Sequence, residues 1–229
     1  GCASDPIRVI LPSNPPLRSL TTHDDPACPA PTTMIWRMEI SLDTLAATMR
    51  RPYIWHKDKH NHMKGYPMPI SHGDTLPDAT LVQMGAEGPM QVKMSEKTKG
   101  RKVVVFAVPG AFTPTCHSAH VPSFVRTKGE FDAKGVDEII CVSCNDPFVM
   151  KAWGEATGAT AAGITMLGDA SSEFTKAIGM DFDAAPAGLM ARSKRYAMLV
   201  EDGKVTLLQA EESPGVCDVS GGESLLANM

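Results

Sequence analysis

From residue 67 onward, short apolar runs alternate with segments whose apolar residues recur at helical spacing. Runs bounded by Gly, Pro or Asp predict strands near 79–83 and 90–93, and over 102–108, 138–144 and 164–168. The run Lys102-Val-Val-Val-Phe-Ala-Val108, β-branched and almost wholly apolar, has the length of a buried strand. Helices are predicted over 114–128, 147–157, 172–178 and 222–228. Two of them have visible starts: Asp146 before Pro147, and Ser171 or Ser172 before Glu173. Runs 195–201 and 204–210 meet at Asp202-Gly203, a dipeptide suited to a tight hairpin turn. Mixed β and α elements with a closing hairpin fit an α/β sandwich.

The first 66 residues follow another pattern. Closely spaced prolines (Pro6, Pro12, Pro15, Pro16, Pro26, Pro29, Pro31) remove backbone donors and predict an extended arm over 1–33. Residues 39–50 place Ile40, Leu42, Leu45, Ala46 and Met49 near helical spacing, with Asp43 early and Arg50 late, as in a short amphipathic helix. The chain therefore divides into an extension, 1–66, and a domain, 67–229. His56, His60 and His62 invite a metal reading, since positions 56 and 60 would share a helix face. No acid or cysteine at matching spacing completes a four-ligand set, so they read as a solvated linker.

Composition narrows the partners. A net charge of −4 and a pI near 6.0 leave no basic surplus for a phosphate backbone, so nucleic acid is not expected. No run approaches the roughly 18 consecutive apolar residues of a membrane span. The six cysteines (2, 28, 116, 141, 144 and 217) are too sparse for a small disulfide-built domain and suit a reducing, intracellular compartment. No apolar signal-peptide core precedes the domain, and acids at 5, 24, 25, 39, 43 and 58 weaken a transit-peptide reading. A mitochondrial or plastid address stays open beside the cytoplasm.

One thiol stands out by its surroundings. Cys116 ends Pro109-Gly-Ala-Phe-Thr-Pro-Thr-Cys116, which follows the buried strand. Thr113-Pro114 reads as a helix start, the hydroxyl capping first-turn amides and the proline pre-set for the first position. Cys116 then lies in that first turn, where unpaired N–H groups and the positive end of the dipole favour the nucleophilic thiolate.

The pattern Pro109-x-x-x-Thr113-x-x-Cys116 resembles the peroxidatic motif of the peroxiredoxins, and the full octapeptide resembles their type II, or peroxiredoxin-5, subfamily. The likeness begins at Met68-Pro-Ile-Ser-His-Gly-Asp74 and continues through Cys116-His-Ser-Ala-His120-Val-Pro122-Ser-Phe124. It resumes in Gly135-Val-Asp-Glu-Ile-Ile-Cys141-Val-Ser-Cys-Asn145-Asp-Pro-Phe148 and in Arg192-Ser-Lys-Arg195-Tyr. It implies a thioredoxin-like fold and a thiol peroxidase that reduces hydrogen peroxide and small organic hydroperoxides without a cofactor. Cys116 would attack the terminal peroxide oxygen and become a sulfenic acid. Thr113 would hydrogen-bond thiolate and peroxide, Pro109 would shield the pocket, and Arg195 would supply the cation at the sulfur. Gly110, Phe112 and His120 are secondary pocket residues. From the residues alone, His117 and His120 are the cation candidates inside the motif.

The resemblance implies two candidate resolving thiols. Plant-like members carry a second cysteine at the place of Cys141, whereas animal members carry one near the C-terminal end, where Cys217 lies slightly offset. Otherwise an outside thiol, glutathione with glutaredoxin or thioredoxin, would regenerate the sulfur. Cys141 and Cys144 do not read as a redox dithiol, because strand positions three apart face opposite ways. A homodimer is implied, with Phe112 and Asn145-Asp-Pro-Phe148 near the contact. The competing class is a structural or redox-sensing subunit that docks into a larger assembly through residues 1–66.

Overall fold

The computed structural model describes residues 68–229. The Pro-rich arm, the helix expected over 39–50 and the three linker histidines lie outside the described residues. Strands β1 (Thr80–Gly85), β2 (Gly88–Lys93), β3 (Lys102–Val108), β4 (Glu138–Ser143), β5 (Thr165–Gly168), β8 (Tyr196–Glu201) and β9 (Lys204–Ala210) form one sheet, in the order β2-β1-β5-β4-β3-β8-β9. Its centre, β3-β4-β5, is parallel, while β1, β2, β8 and β9 add antiparallel margins.

Period-two alternation divides the core into two layers. Val104, Phe106, Val108, Ile139, Cys141, Ala197 and Leu199 face one side, where they meet Phe124, Phe131, Trp153 and Leu225. Val103, Val105, Ala107, Ile140, Val142, Met198 and Val200 face the other, against Leu81, Met94 and Phe174. The first layer is covered by α2 (Val121–Ala133), α3 (Pro147–Ala156) and α5 (Gly222–Ala227), the second by α1 (Met94–Thr98) and α4 (Glu173–Ala177). The result is the α/β sandwich expected from the sequence. No helix among the described residues is long and apolar enough to cross a membrane.

The predicted turns and starts are met with two exceptions in their chemistry. Asp202 and Gly203 both take positive φ, 49° and 76°, the paired left-handed geometry of a tight hairpin turn. The Asp146 carboxylate accepts from the amides of Phe148 and Val149, both at 3.0 Å, and so caps α3. The start of α4 differs from expectation. Ser172 sits at φ 57° and donates its hydroxyl to the Ala191 carbonyl, while the Asp169 carboxylate takes the Phe174 and Thr175 amides. Likewise, the Thr113 hydroxyl caps no amide and donates to the Gly110 carbonyl at 2.8 Å.

One helix and one hairpin escape the sequence pattern. The five-residue α1 is too short to show helical periodicity. The small hairpin β6 (Asp181–Ala184) and β7 (Leu189–Ser193) alternates poorly and is interrupted by Pro186 and Gly188. The helix expected over 114–128 runs on to Ala133, since Gly129 does not break it and the left-handed Gly135 lies beyond its end.

Candidate active site

The C-terminal ends of the parallel strands converge on one loop system. Past β3, Pro109 and Gly110 are buried, and the Ala111 amide donates to Asn145 Oδ1 at 2.9 Å. Ser143, the last residue of β4, donates its hydroxyl to the same oxygen at 2.7 Å. The Asn145 side chain thereby fastens the Pro109–Thr113 loop to the neighbouring strand. Gly168 permits this: a Cβ there would stand 2.7 Å from the Asn145 carbonyl oxygen, closer than carbon and oxygen pack.

The helix starts at Pro114, and Cys116 falls within its first turn, fully buried. From Cys116 to His120 the backbone winds as a π turn, in which Val121 N–H reaches back five residues to the Cys116 carbonyl. Pro122 supplies the reason. It has no N–H for an α-helical bond, and its ring would crowd the carbonyl four residues before it. Widening the turn relieves the crowding, and such π turns concentrate at functional sites.

Arg195 reaches this turn from 79 residues away in sequence. Antiparallel pairing of β3 with β8 places Ala107 opposite Tyr196, so the residue preceding β8 stands at the end of β3. Arg195 is 1 % exposed. One amino group, Nη2, donates to Cys116 Sγ at 3.3 Å and to the Pro214 carbonyl at 2.8 Å. The other, Nη1, donates to His120 Nδ1 at 3.1 Å. The third guanidinium nitrogen, Nε, is buried and its N–H finds no acceptor.

His120 is held neutral. Its Nε2 lies 2.9 Å from the Ser220 carbonyl and must carry the proton, leaving Nδ1 as the acceptor for Arg195. Burial and then the Arg195 charge lower its pKa to about 3, against the Ser220 hydrogen bond, which raises it. The cation at the sulfur is therefore Arg195 and not His120. The unfolded chain takes up this proton near pH 6.5, so the neutral ring contributes stability above that pH, lost as pH falls from 6.5 towards about 3. Ring-nitrogen NMR of the folded protein should show the Nε2–H tautomer throughout the physiological range; a midpoint near the ordinary histidine value of about 6.5 would contradict this geometry.

The other thiols sit in distinct surroundings. Cys141 lies at the sheet centre, paired in register with Phe106 and Met166, and burial and then the nearby Cys116 push its thiol pKa well up. Cys144 Sγ lies 3.4 Å from the Thr175 hydroxyl, and burial raises it too. Half-buried Cys217 is raised by burial, with the Arg195 charge opposing. All four described cysteines are free. His117, next to Cys116, accepts from Trp153 Nε1 at 3.2 Å.

The sequence reading missed Asn145 as the loop fastener, and Glu211, Pro214 and Ser220, which surround Arg195 and His120 through backbone groups. Carbonyl ligands leave no signal in residue type. Asn145 had one, as a polar residue just past a buried strand.

Comparisons with known proteins agree with one another. The Redoxin family model matches residues 71–226. The chain is 49 % identical over 161 residues to Peroxiredoxin-2E-2, chloroplastic, of Oryza sativa subsp. japonica, covering 69 % of this chain and 71 % of that one. It is 44 % identical over 136 residues to Peroxiredoxin-2F, mitochondrial, of Arabidopsis thaliana, covering 59 % and 67 %. Among solved structures, reduced Prx3 of Vibrio vulnificus in complex with hydrogen peroxide superposes with a TM-score of 0.66 at 48 % identity, covering 69 % of this chain and 98 % of that one.

Proposed function

The chain belongs to the peroxiredoxin family of thiol peroxidases, with its thioredoxin-like fold, and from that premise we propose that Cys116 reduces hydrogen peroxide and small organic hydroperoxides. The carrying observation is the Arg195 guanidinium, which bonds the Cys116 sulfur and keeps one buried donor, Nε–H, without a partner. Thiolate sulfur attacks the terminal peroxide oxygen, the O–O bond breaks, and the departing hydroxide or alkoxide leaves as water or alcohol after taking a proton. The sulfur, oxidised by two electrons, becomes a sulfenic acid. Arg195 faces the charge as it passes from sulfur to oxygen. The Thr113 hydroxyl, whose proton goes to Gly110, keeps lone pairs for a peroxide O–H, and buried Pro109 excludes water.

A thiol reductant returns the sulfur to its starting state: one thiol condenses with the sulfenic acid, releasing water, and a second reduces the disulfide. Glutathione with glutaredoxin, or thioredoxin, fits this role. Burial of Cys141 in the middle of the sheet supports an outside thiol, since a bond to Cys116 needs Cα atoms within about 7 Å and an unwound turn. Cys217, on a loop against Arg195, is the internal alternative.

The working unit in this reading is a domain over 67–229 behind an extension over 1–66, assembled as a homodimer. Phe112, on the loop before the Cys116 helix, and Phe148, in the first turn of α3, are 53 % and 63 % exposed and give apolar surface for a second copy. The chloroplastic and mitochondrial relatives support a plastid or mitochondrial location, with cytoplasm as the alternative. Import of the tagged full chain into isolated plastids and mitochondria decides between them.

Native and peptide mass spectrometry after one equivalent of hydrogen peroxide tests the proposal. The expected products are a dimer mass and, within seconds, oxidation at Cys116, followed by a mixed disulfide when glutathione is added. A Cys116–Cys217 or Cys116–Cys141 bond would name an internal resolving thiol instead. An unreactive Cys116 would overturn the peroxidase mechanism in favour of a structural subunit.

A further inference from the structure

Apart from Cys217, the segment 211–220 offers the sulfur no side chain, yet its backbone holds both groups beside it, Arg195 and His120. Pro214 O receives Arg195 Nη2, and Ser220 O receives His120 Nε2, at 2.8 and 2.9 Å. The same segment is tied to the Cys116 helix, since the Thr115 hydroxyl donates to Gly215 O at 2.9 Å and, just beyond it, Gly222 N–H donates to Ser123 Oγ at 2.8 Å. Between the end of β9 at Ala210 and the start of α5 at Gly222, the chain has no regular secondary structure of its own.

Glu211 supplies the order that secondary structure does not. Its Oε1 accepts from the amides of Asp218, Val219 and Ser220 at 2.8, 2.9 and 2.8 Å, and from the Ser220 hydroxyl at 2.8 Å. Its own amide donates to the Arg195 carbonyl at 2.9 Å, which anchors the clamp to the residue it serves. Burial alone would raise the Glu211 carboxyl, but these hydrogen bonds hold it below its ordinary value, as an anion suited to accept them.

We infer that Glu211 is a positioning residue for peroxide reduction: its carboxylate clamps residues 218–220, fixing the Ser220 carbonyl that orients His120 and, through it, the Arg195 guanidinium at Cys116. This rests on the reading of Cys116 as nucleophile and Arg195 as its donor. The chain of contacts is short: Glu211 to Ser220, Ser220 to His120, His120 to Arg195, Arg195 to sulfur.

The test compares two reactions of the same thiol in the full chain, oxidation by hydrogen peroxide and alkylation by iodoacetamide, which needs no aligned donor for a leaving oxygen. In Glu211→Ala, the ratio of oxidation to alkylation rate constants should fall about tenfold to a hundredfold, the scale of a remote misplacement of catalytic groups. Glu211→Gln keeps an oxygen acceptor for the same four donors and should stay within about threefold of the unsubstituted ratio, since weaker neutral hydrogen bonds still hold residues 218–220 in place, whereas alanine removes the acceptor itself. Glu211→Asp keeps the charge but is one methylene short, and should lose the ratio as alanine does. If alanine does not fold, the Gln and Asp pair decides. An unchanged ratio in Glu211→Ala or Glu211→Asp, or a loss in Glu211→Gln equal to that in alanine, overturns the inference. Should Cys116 of the unsubstituted protein fail to react with peroxide, the peroxidase reading fails first and takes this one with it.

Discussion

Cys116→Ser is expected to bring peroxide consumption down to the uncatalysed background, a loss of at least about 10⁴-fold. The substitution changes one buried atom and leaves Arg195 a hydrogen-bond acceptor, so the packing is preserved. What disappears is the sulfur nucleophile of the proposed reaction. A serine hydroxyl needs a base to become a nucleophile, and the site has none to offer: His120 Nδ1 already accepts from Arg195, and its Nε2–H faces Ser220. Peroxide consumption in the presence of dithiothreitol measures the loss, and an unchanged chemical melt shows that the fold survives. Retained turnover in a folded Cys116→Ser protein would move the chemistry to another thiol.

The next largest effect is expected from Arg195→Met. Removing one preorganised donor aimed at developing charge costs about 10²–10³ in rate. Here the same substitution also leaves the Pro214 carbonyl and His120 Nδ1 without their buried donor, at about 1–3 kcal/mol for each unsatisfied group. Removing a buried charge offsets part of that cost. The rate constant for Cys116 oxidation should therefore fall far more than stability does. Arg195→Lys should recover only part of the rate, since one ammonium cannot reproduce the planar fork that serves sulfur, imidazole and carbonyl together. Stopped-flow oxidation of each variant gives the rates, and a wild-type rate in Arg195→Met would remove Arg195 from the mechanism.

The fold was legible where sequence and burial share a period. β3 and β4 are β-branched runs with both faces covered, and the Asp202-Gly203 turn and the Asp146 cap depend on residue types that show in the chain itself. The Cys116 loop was legible because a strand, a turn and a helix start stand next to one another. Arg195 was not legible from pattern, and was reached only through the family resemblance, because the pairing that brings β8 beside β3 is long-range. The Asp169 cap, the π turn and the Glu211 clamp depend on which backbone group faces which side chain after folding, and no periodicity encodes that.

Cys141 and Cys144 lie three residues apart but on opposite sides of the sheet, Cys141 in the layer that holds Cys116 and Cys144 against Thr175 of α4. The seven-stranded sheet is thus a partition between two sulfur compartments of one domain. A thiol's distance along the chain therefore says little about which layer of the domain it faces, or which other thiols it could meet.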